Sequence, residues 1–262
     1  MSELLVCCVG TTEPWTVAGL GLDIRALDAL GARGVIVVAG VSAQDGRGAH
    51  AGAATEPGLI AAQFAALERA PISAVRIGAL LDPASIGAVA RALRIRVEAS
   101  GPVPIVYDPV LATSAGGRFA SPESIVEIVR ELVPLTTTIT PNLAEAAWLL
   151  GLEPLAACEP DPQAMACWGA SLVAAGAGSA LVTGGHLAGD PIDVLVDGDT
   201  QTRFAATRLP GELRGTGCLL ACALAVGLGR GDALRDAVAS ARAFVRARFA
   251  AARDIAGMRA AY

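Results

Sequence analysis

Short apolar runs alternate along the chain with longer stretches in which apolar residues recur at helical spacing. The runs fall at residues 4–9, 34–39, 74–77, 104–107, 136–139 and 180–182. The stretch Val35-Ile36-Val37-Val38-Ala39-Gly40 is apolar throughout, as a strand buried on both faces should be. Between the runs, the spacing predicts helices near 21–31, 56–70, 83–95, 122–132, 142–150 and 162–176. Strands alternating with helices imply right-handed crossovers and a mostly parallel sheet with helices on both faces. The pattern changes after residue 184. Residues 193–197 and 202–206 flank Gly198-Asp199, which predicts an antiparallel hairpin at a sheet edge. Two more helices are predicted near 216–229 and 231–255, with Asp232 as N-cap of the second. No linker or internal repeat interrupts the series, so the expectation is one doubly wound α/β domain over 1–262.

Composition narrows the chemistry. A length of 262 residues suits one large domain or two small ones at roughly 100–200 residues per domain. Hydrophobic residues make up 53% and charged residues 17%, enough for a sizeable core and against intrinsic disorder. The net charge of −5 and the lack of any basic run argue against a nucleic-acid surface. All 20 basic residues are arginine. Without lysine there is no Walker-type P-loop and no Schiff-base amine. His50 and His186 are the two histidines, too few for a histidine-rich zinc site. Cysteines stand at 7, 8, 158, 167, 218 and 222 with no C-x-x-C pair. The opening Met-Ser-Glu-Leu-Leu has neither a basic n-region nor a cleavage site behind it, so reduced thiols and a cytoplasmic location are expected. No run of about 18 apolar residues is free of Gly, Pro and charge, and no membrane span is expected.

In a doubly wound sheet, ligands bind beyond the carboxyl ends of the strands. Four segments fall at such ends. Arg214-Gly215-Thr216-Gly217-Cys218 precedes an apolar helix. Its glycines let consecutive N–H groups converge on an anion at the positive end of the helix, and a thiolate at Cys218 would be stabilised there. The same residues also suit a plain Gly-rich loop with Cys218 as core filler. Thr140-Pro141-Asn142-Leu143-Ala144-Glu145 reads either as a capping box or as a carboxylate organising Mg²⁺ through water. Val182-Thr183-Gly184-Gly185-His186 reads as a close approach to a nucleotide or as a tight turn. Asp108, after Tyr107 and before Pro109, reads as a magnesium-site carboxylate or as a turn former.

The order Asp108-Pro109-Val110, then Thr140-Pro141-Asn142, then Thr183-Gly184-Gly185-His186, then Gly215-Thr216-Gly217-Cys218 resembles the ribokinase-like small-molecule kinases. Within them it is most similar to the bacterial hydroxymethylpyrimidine/phosphomethylpyrimidine kinases of thiamin biosynthesis. Ala18-Gly19-Leu20-Gly21-Leu22-Asp23 resembles that family's AG-x-x-x-D segment, Val41-Ser42-Ala43-Gln44-Asp45 its V-A-Q-N/D segment, and Arg76-Ile77-Gly78 its K-I-G strand. The resemblance implies a fold and roles. Gln44 would hydrogen-bond the aminopyrimidine ring, Asp23 would lie by the hydroxymethyl group, and Ala18, Gly19 and Ala79 would line the acceptor pocket. Gly215, Thr216 and Gly217 would form the anion hole. Cys218 would accept the acceptor's hydroxyl proton. Asn142, Thr183, Gly185 and Arg214 would contact ATP, and Asp108 and Glu145 would organise Mg²⁺. Family members are commonly homodimers.

The departures cluster at the acceptor end. The family's G-T-D-P-S-G-G-A-G loop reads here Thr11-Thr12-Glu13-Pro14-Trp15-Thr16-Val17-Ala18-Gly19, so a Gly pair has become Thr16-Val17. Ala79 replaces a frequent Met, Arg214 a His, and Thr183 a frequent Lys. Three readings follow: a pyrimidine kinase, a pyridoxal-type kinase of the same fold, or a non-catalytic paralogue that binds a pyrimidine or nucleotide.

Overall fold

The computed structural model describes residues 3–45, 48–112, 120–152, 161–255 and 257–260. Strands β1 (Leu5–Thr12), β2 (Arg33–Asp45), β3 (Gly48–Ala54), β4 (Ile72–Ile77), β5 (Ile105–Tyr107), β6 (Thr138–Ile139), β7 (Ser179–Val182), β8 (Ile192–Asp197) and β9 (Thr200–Ala205) form one sheet. Their order is β3-β2-β1-β4-β5-β6-β7-β8-β9. The central strands β2 to β7 of this order pair in parallel; β3 at one end and β8–β9 at the other run antiparallel. The β8–β9 hairpin turns at Gly198, whose φ of 54° is the left-handed value a tight turn needs.

Helices α1 (Gly19–Ala29), α2 (Pro57–Ala66), α3 (Pro83–Ser100), α4 (Pro122–Glu127), α5 (Leu143–Leu149), α6 (Pro162–Ala174), α7 (Thr216–Arg230) and α8 (Leu234–Ala250) cover the two faces. Strand residues alternate between the faces. Cys7 and Val9 join the core under α2 to α6, while Val6 and Cys8 join the core under α1, α7 and α8. The same alternation sends Val75, Ile77, Ile105 and Tyr107 one way and Ala74 and Val106 the other. Arg76 and Asp108 share the parity of Ala74 and Val106, so both lie on the α1/α7 side. Helix α7 is buried continuously from Cys218 to Gly227. Each of its fully buried leucines contributes roughly 1.5–3 kcal/mol, which fixes the helix and the loop before it.

Several expectations are corrected. β2 runs on to Asp45 and pairs with β3. Residues 40–54 are Gly- and Ala-rich, and their pairing is a backbone matter that side-chain periodicity does not report. The last predicted helix ends at Ala250, and β10 (Arg253–Ile255) pairs with β11 (Met258–Ala260) in a separate two-stranded sheet. Asp232 is not an N-cap. Its N–H donates to Gly227 O, and that of Gly231, at φ 87°, to Leu228 O, so both residues terminate α7; Ala233 precedes α8. The helix predicted over 122–132 ends as α at Glu127 and continues through a π turn, Ile128–Leu132. Cys158 lies outside the described residues.

Candidate active site

The sheet reverses its order between β1 and β4, where a doubly wound fold opens a crevice at the carboxyl ends of its strands. An ion cluster underlies this point. Arg76 on β4 gives one Nη to each of two carboxylates: Nη1 to Asp23 Oδ2 at 2.9 Å and Nη2 to Asp108 Oδ2 at 2.7 Å. Asp23 comes from α1 and Asp108 from the end of β5. Asp23 has no exposed surface. Its second oxygen, Oδ1, faces the Cys222 thiol of α7 at 3.3 Å. Burial pushes the Asp23 carboxyl up to about 6, against the pull of Arg76. Asp108 is likewise raised by burial and held down in part by Arg76 and by the Cys218 thiol. A lone buried arginine would be costly; two hydrogen-bonded carboxylates balance its charge and occupy both of its Nη atoms. The one signal in the sequence that could have pointed to a cluster here is a charged residue within the apolar run 74–77.

The N-terminus of α7 sits over Asp108. Gly215 adopts φ 76°, and a Cβ there would meet Leu22 Cδ2 at 2.2 Å and Val17 O at 2.6 Å, so glycine is required. Gly217 is exposed, and a Cβ on it would stand 3.4 Å from Asp108 Oδ1. Gly215, Thr216 and Gly217 thus lead into the first turn of a fifteen-residue helix, whose free N–H groups face the crevice. Cys218 follows, buried, with the Gly19 N–H directed at its sulfur. The expected thiolate is not favoured here: burial outweighs Arg76 and pushes the thiol up to about 12.

Asn142 and Glu145 form the capping box in full. Asn142 N donates to Glu145 Oε2 at 2.9 Å and Glu145 N to Asn142 Oδ1 at 3.0 Å. Glu145 is also buried, and burial followed by the nearby Asp108 charge pushes its carboxyl up to about 8. The capping-box reading of this segment is therefore the one observed. Two adjoining carboxylates with raised values and a shortfall of positive charge fit a hard divalent cation. Their oxygens already take protein donors, so the cation fits through its own waters. Among the described residues, Cys8, Asp23 and Cys222 also bring three ligand-type atoms together, but Arg76 on Asp23 opposes a cation there.

The remaining predicted residues line the strand ends. Thr183 follows β7, with its N–H on Pro141 O. Gly185 is exposed in the loop that follows, and the guanidinium of Arg208 holds that loop by the carbonyls of Gly185, Leu187 and Gly189. Sequence reasoning missed Arg208. Gln44 and Ala79 are half-buried at the ends of β2 and after β4. Arg214 reaches β2, donating from Nη1 to Asp45 O at 2.9 Å. The altered loop closes on itself: Glu13 accepts from the N–H groups of Trp15 and Val17, each at 2.6 Å, and of Ala18 at 3.0 Å. Thr16 takes φ 54°, strained for a β-branched residue, and its hydroxyl bonds Arg25. Ala18 precedes α1 and Gly19, at φ 55°, starts it against Thr11 O, where a Cβ would stand at 2.4 Å.

Residues 14–259 match the family model for phosphomethylpyrimidine kinase. The chain belongs to this family. It is 35% identical over 240 residues to the hydroxymethylpyrimidine/phosphomethylpyrimidine kinase of Rhizobium meliloti, covering 90% of this chain and 86% of the relative. Among solved structures, phosphomethylpyrimidine kinase from Clostridium difficile superposes with a TM-score of 0.80 at 24% identity, over 94% of this chain and 99% of the other. Pyridoxal kinase from Bacillus subtilis, an ADP complex, superposes with a TM-score of 0.89 at 22% identity, over 99% and 97%. The ribokinase-like, doubly wound sheet expected from the sequence is the fold these structures share. No described helix is long and apolar enough to cross a membrane.

Proposed function

We infer that the protein is an ATP-dependent kinase phosphorylating 4-amino-5-hydroxymethyl-2-methylpyrimidine, its monophosphate, or both, in thiamin biosynthesis. The observation that carries this reading is the first turn of α7 standing over Asp108 at the switch point of the sheet, in a chain of this family. The N–H groups after Gly215 stabilise the charge that develops on the transferred phosphoryl group. The acceptor hydroxyl attacks phosphorus and its proton passes to Cys218. A thiol raised to about 12 is protonated at neutral pH, so its own proton must leave as the new one arrives. Asp108, whose carboxylate lies against the first turn of α7 that carries Cys218, is positioned to take it. Atoms balance: the O–H bond breaks, an O–P bond forms, and the P–O bond to ADP breaks. Mg²⁺ supplies charge neutralisation on the phosphates, with Glu145 and Asp108 as the residues that would hold it through water.

On the acceptor side, Gln44 offers a donor and an acceptor to the pyrimidine edge, with Ala18, Gly19 and Ala79 as pocket wall. Asn142, Thr183, Gly185 and Arg214 serve the nucleotide. The reading includes one kinase domain, a homodimer and a cytoplasmic location. The test is ADP release with Mg²⁺–ATP and hydroxymethylpyrimidine, its monophosphate, pyridoxal and hydroxyethylthiazole, with Cys218→Ala as control. Turnover on the pyrimidines, lost in Cys218→Ala while the fold persists, is the expected result. A second reading, a pyridoxal-type acceptor, is favoured by the rebuilt loop Glu13–Ala18; turnover on pyridoxal alone would establish it. Silence on every acceptor, with ligand still raising Tm, would make the chain a binding paralogue.

A further inference from the structure

Asp23 does not meet the description of an acceptor ligand. Such a residue has to show an oxygen to the crevice, and Asp23 is 0% exposed with both oxygens engaged. Its surroundings are equally closed. Arg76 is 1% exposed and spends its two Nη atoms on two carboxylates from different elements. Its Nε, also buried, has no hydrogen-bond partner among the described residues. An unmet buried donor is destabilising. The guanidinium therefore lies where the carboxylates require it, not where its own hydrogen bonds would be complete. Gly78 makes the same point from the other side, because a Cβ there would stand 2.2 Å from Arg76 Nη1. The backbone beyond β4 has been stripped to make room for this one side chain.

A guanidinium is a flat fork, so two carboxylates bound to its two tips are held at a fixed separation and angle. One of them, Asp108, faces the first turn of α7 with its whole carboxylate, its oxygens 3.4 and 3.5 Å from where a Cβ on Gly217 would stand. The geometry points to Asp23 and Arg76 as positioning residues for phosphoryl transfer: Asp23 anchors Arg76, and Arg76 holds the Asp108 carboxylate against Gly217 and Cys218. Asp23 then acts on the reaction through Arg76 and Asp108 and touches neither acceptor nor nucleotide. Cys222 completes the anchor by closing the free oxygen of Asp23. This inference rests on the reading that Asp108 serves the phosphoryl end of the site.

Kinetics and calorimetry together test it. Asp23→Asn leaves Arg76 a weaker partner. It is expected to lower kcat about thirtyfold, since small displacements of a catalytic group cost up to 10²-fold. KM for the acceptor should stay within about threefold, because uniform acceptor binding is untouched. Binding of Mg²⁺–ADP to the acceptor-free protein should weaken about fivefold. The decisive comparison places Asp23→Asn in an Asp108→Asn background, where an effect transmitted through Asp108 has nowhere to go. No further loss of Mg²⁺–ADP affinity is expected there. An additive further loss, or a tenfold rise in acceptor KM with kcat retained, overturns the inference. Should Asp23→Asn fail to fold, Arg76→Lys gives the same reading in this chain, since a rotatable ammonium donates to carboxylates as a point charge and does not fix their separation and angle as the planar fork does. A folded Arg76→Lys with normal kcat and normal Mg²⁺–ADP affinity also overturns it. Because ADP binding needs no acceptor, failure to phosphorylate pyrimidines would sink the proposed function and leave the calorimetric cycle to decide this point.

Discussion

Two glycines near Asp108 look alike in sequence and differ in what they permit. A Cβ on Gly78 would sit 2.2 Å from Arg76 Nη1, far inside contact distance, and Arg76 is fully enclosed with nowhere to retreat. Gly78→Ala is therefore expected to destabilise the protein by about 2–4 kcal/mol, the range for disturbing a buried charge network. Urea unfolding checks it, and a loss under about 0.5 kcal/mol would mean that the cluster is softer than its geometry implies. At Gly217 the added Cβ would make an ordinary contact, 3.4 Å from Asp108 Oδ1. Gly217→Ala should fold with nearly unchanged stability yet lose about tenfold or more in kcat, because the methyl covers the carboxylate where Cys218 and the phosphates must approach it. Equal turnover in Gly217→Ala and the parent would remove that crowding argument. The motif Gly215-Thr216-Gly217-Cys218 was legible because its residue types carry the chemistry themselves. Arg76 was legible only as part of a strand, since its two partners lie 53 and 32 residues away and no local pattern records such a distance.

At the scale of elements, the start of α5 concentrates the pH dependence. Glu145 caps the helix and is pushed from an ordinary value near 4.5 up to about 8, first by burial and then by Asp108. The sign follows from linkage. A carboxyl raised on folding binds its proton more tightly in the folded state, so it adds nothing unfavourable below the unfolded value. Its penalty grows as pH rises from about 4.5 and is complete above about 8. Thermal unfolding is expected to show Tm falling across this window, and Glu145→Gln should flatten that part of the profile. Mg²⁺–ADP should recover more Tm at pH 8.5 than at pH 6, since a cation beside the pair favours the ionised form. A profile unaltered by Glu145→Gln would assign the slope to other groups. The capping box itself could be read from Asn142 and Glu145 three residues apart. The added electrostatic role could not, because it depends on Asp108, which arrives from β5. β2–β3 was illegible for another reason: residues 40–54 are mostly small, so the alternation that marks a strand is absent, and the Asp45-Gly46 turn signal stands without flanking runs to support it.

For the whole molecule, the doubly wound sheet was legible because its signal is repeated: each buried strand and amphipathic helix votes independently for the same architecture. What periodicity does not carry is how chain-distant segments close over the crevice. Arg214 shows the kind of contact involved. It lies just before the α7 loop and donates to the Asp45 carbonyl at the tip of β2, 169 residues away. The β2–β3 arm contributes little to the core: β3 carries only Gly, Ala and one His, its central residues are exposed, and its side chains bury little apolar area. An arm of that kind is held by backbone pairing and by whatever grips its end, and opens at low free-energy cost when the grip is removed. Arg214→Ala is therefore expected to speed hydrogen exchange of amides 40–54 several-fold while leaving exchange in β1, β4 and α7, and Tm to within about 2 °C, as in the parent. Because Gln44 lies on the same arm and Arg214 also serves the nucleotide, KM should rise in that variant for both acceptor and ATP. If exchange quickens across the whole sheet, Arg214 stabilises the fold at large; if it quickens nowhere, the arm is held by β-pairing alone and the phosphate role expected of Arg214 from the sequence becomes the better account of its place before the glycine loop.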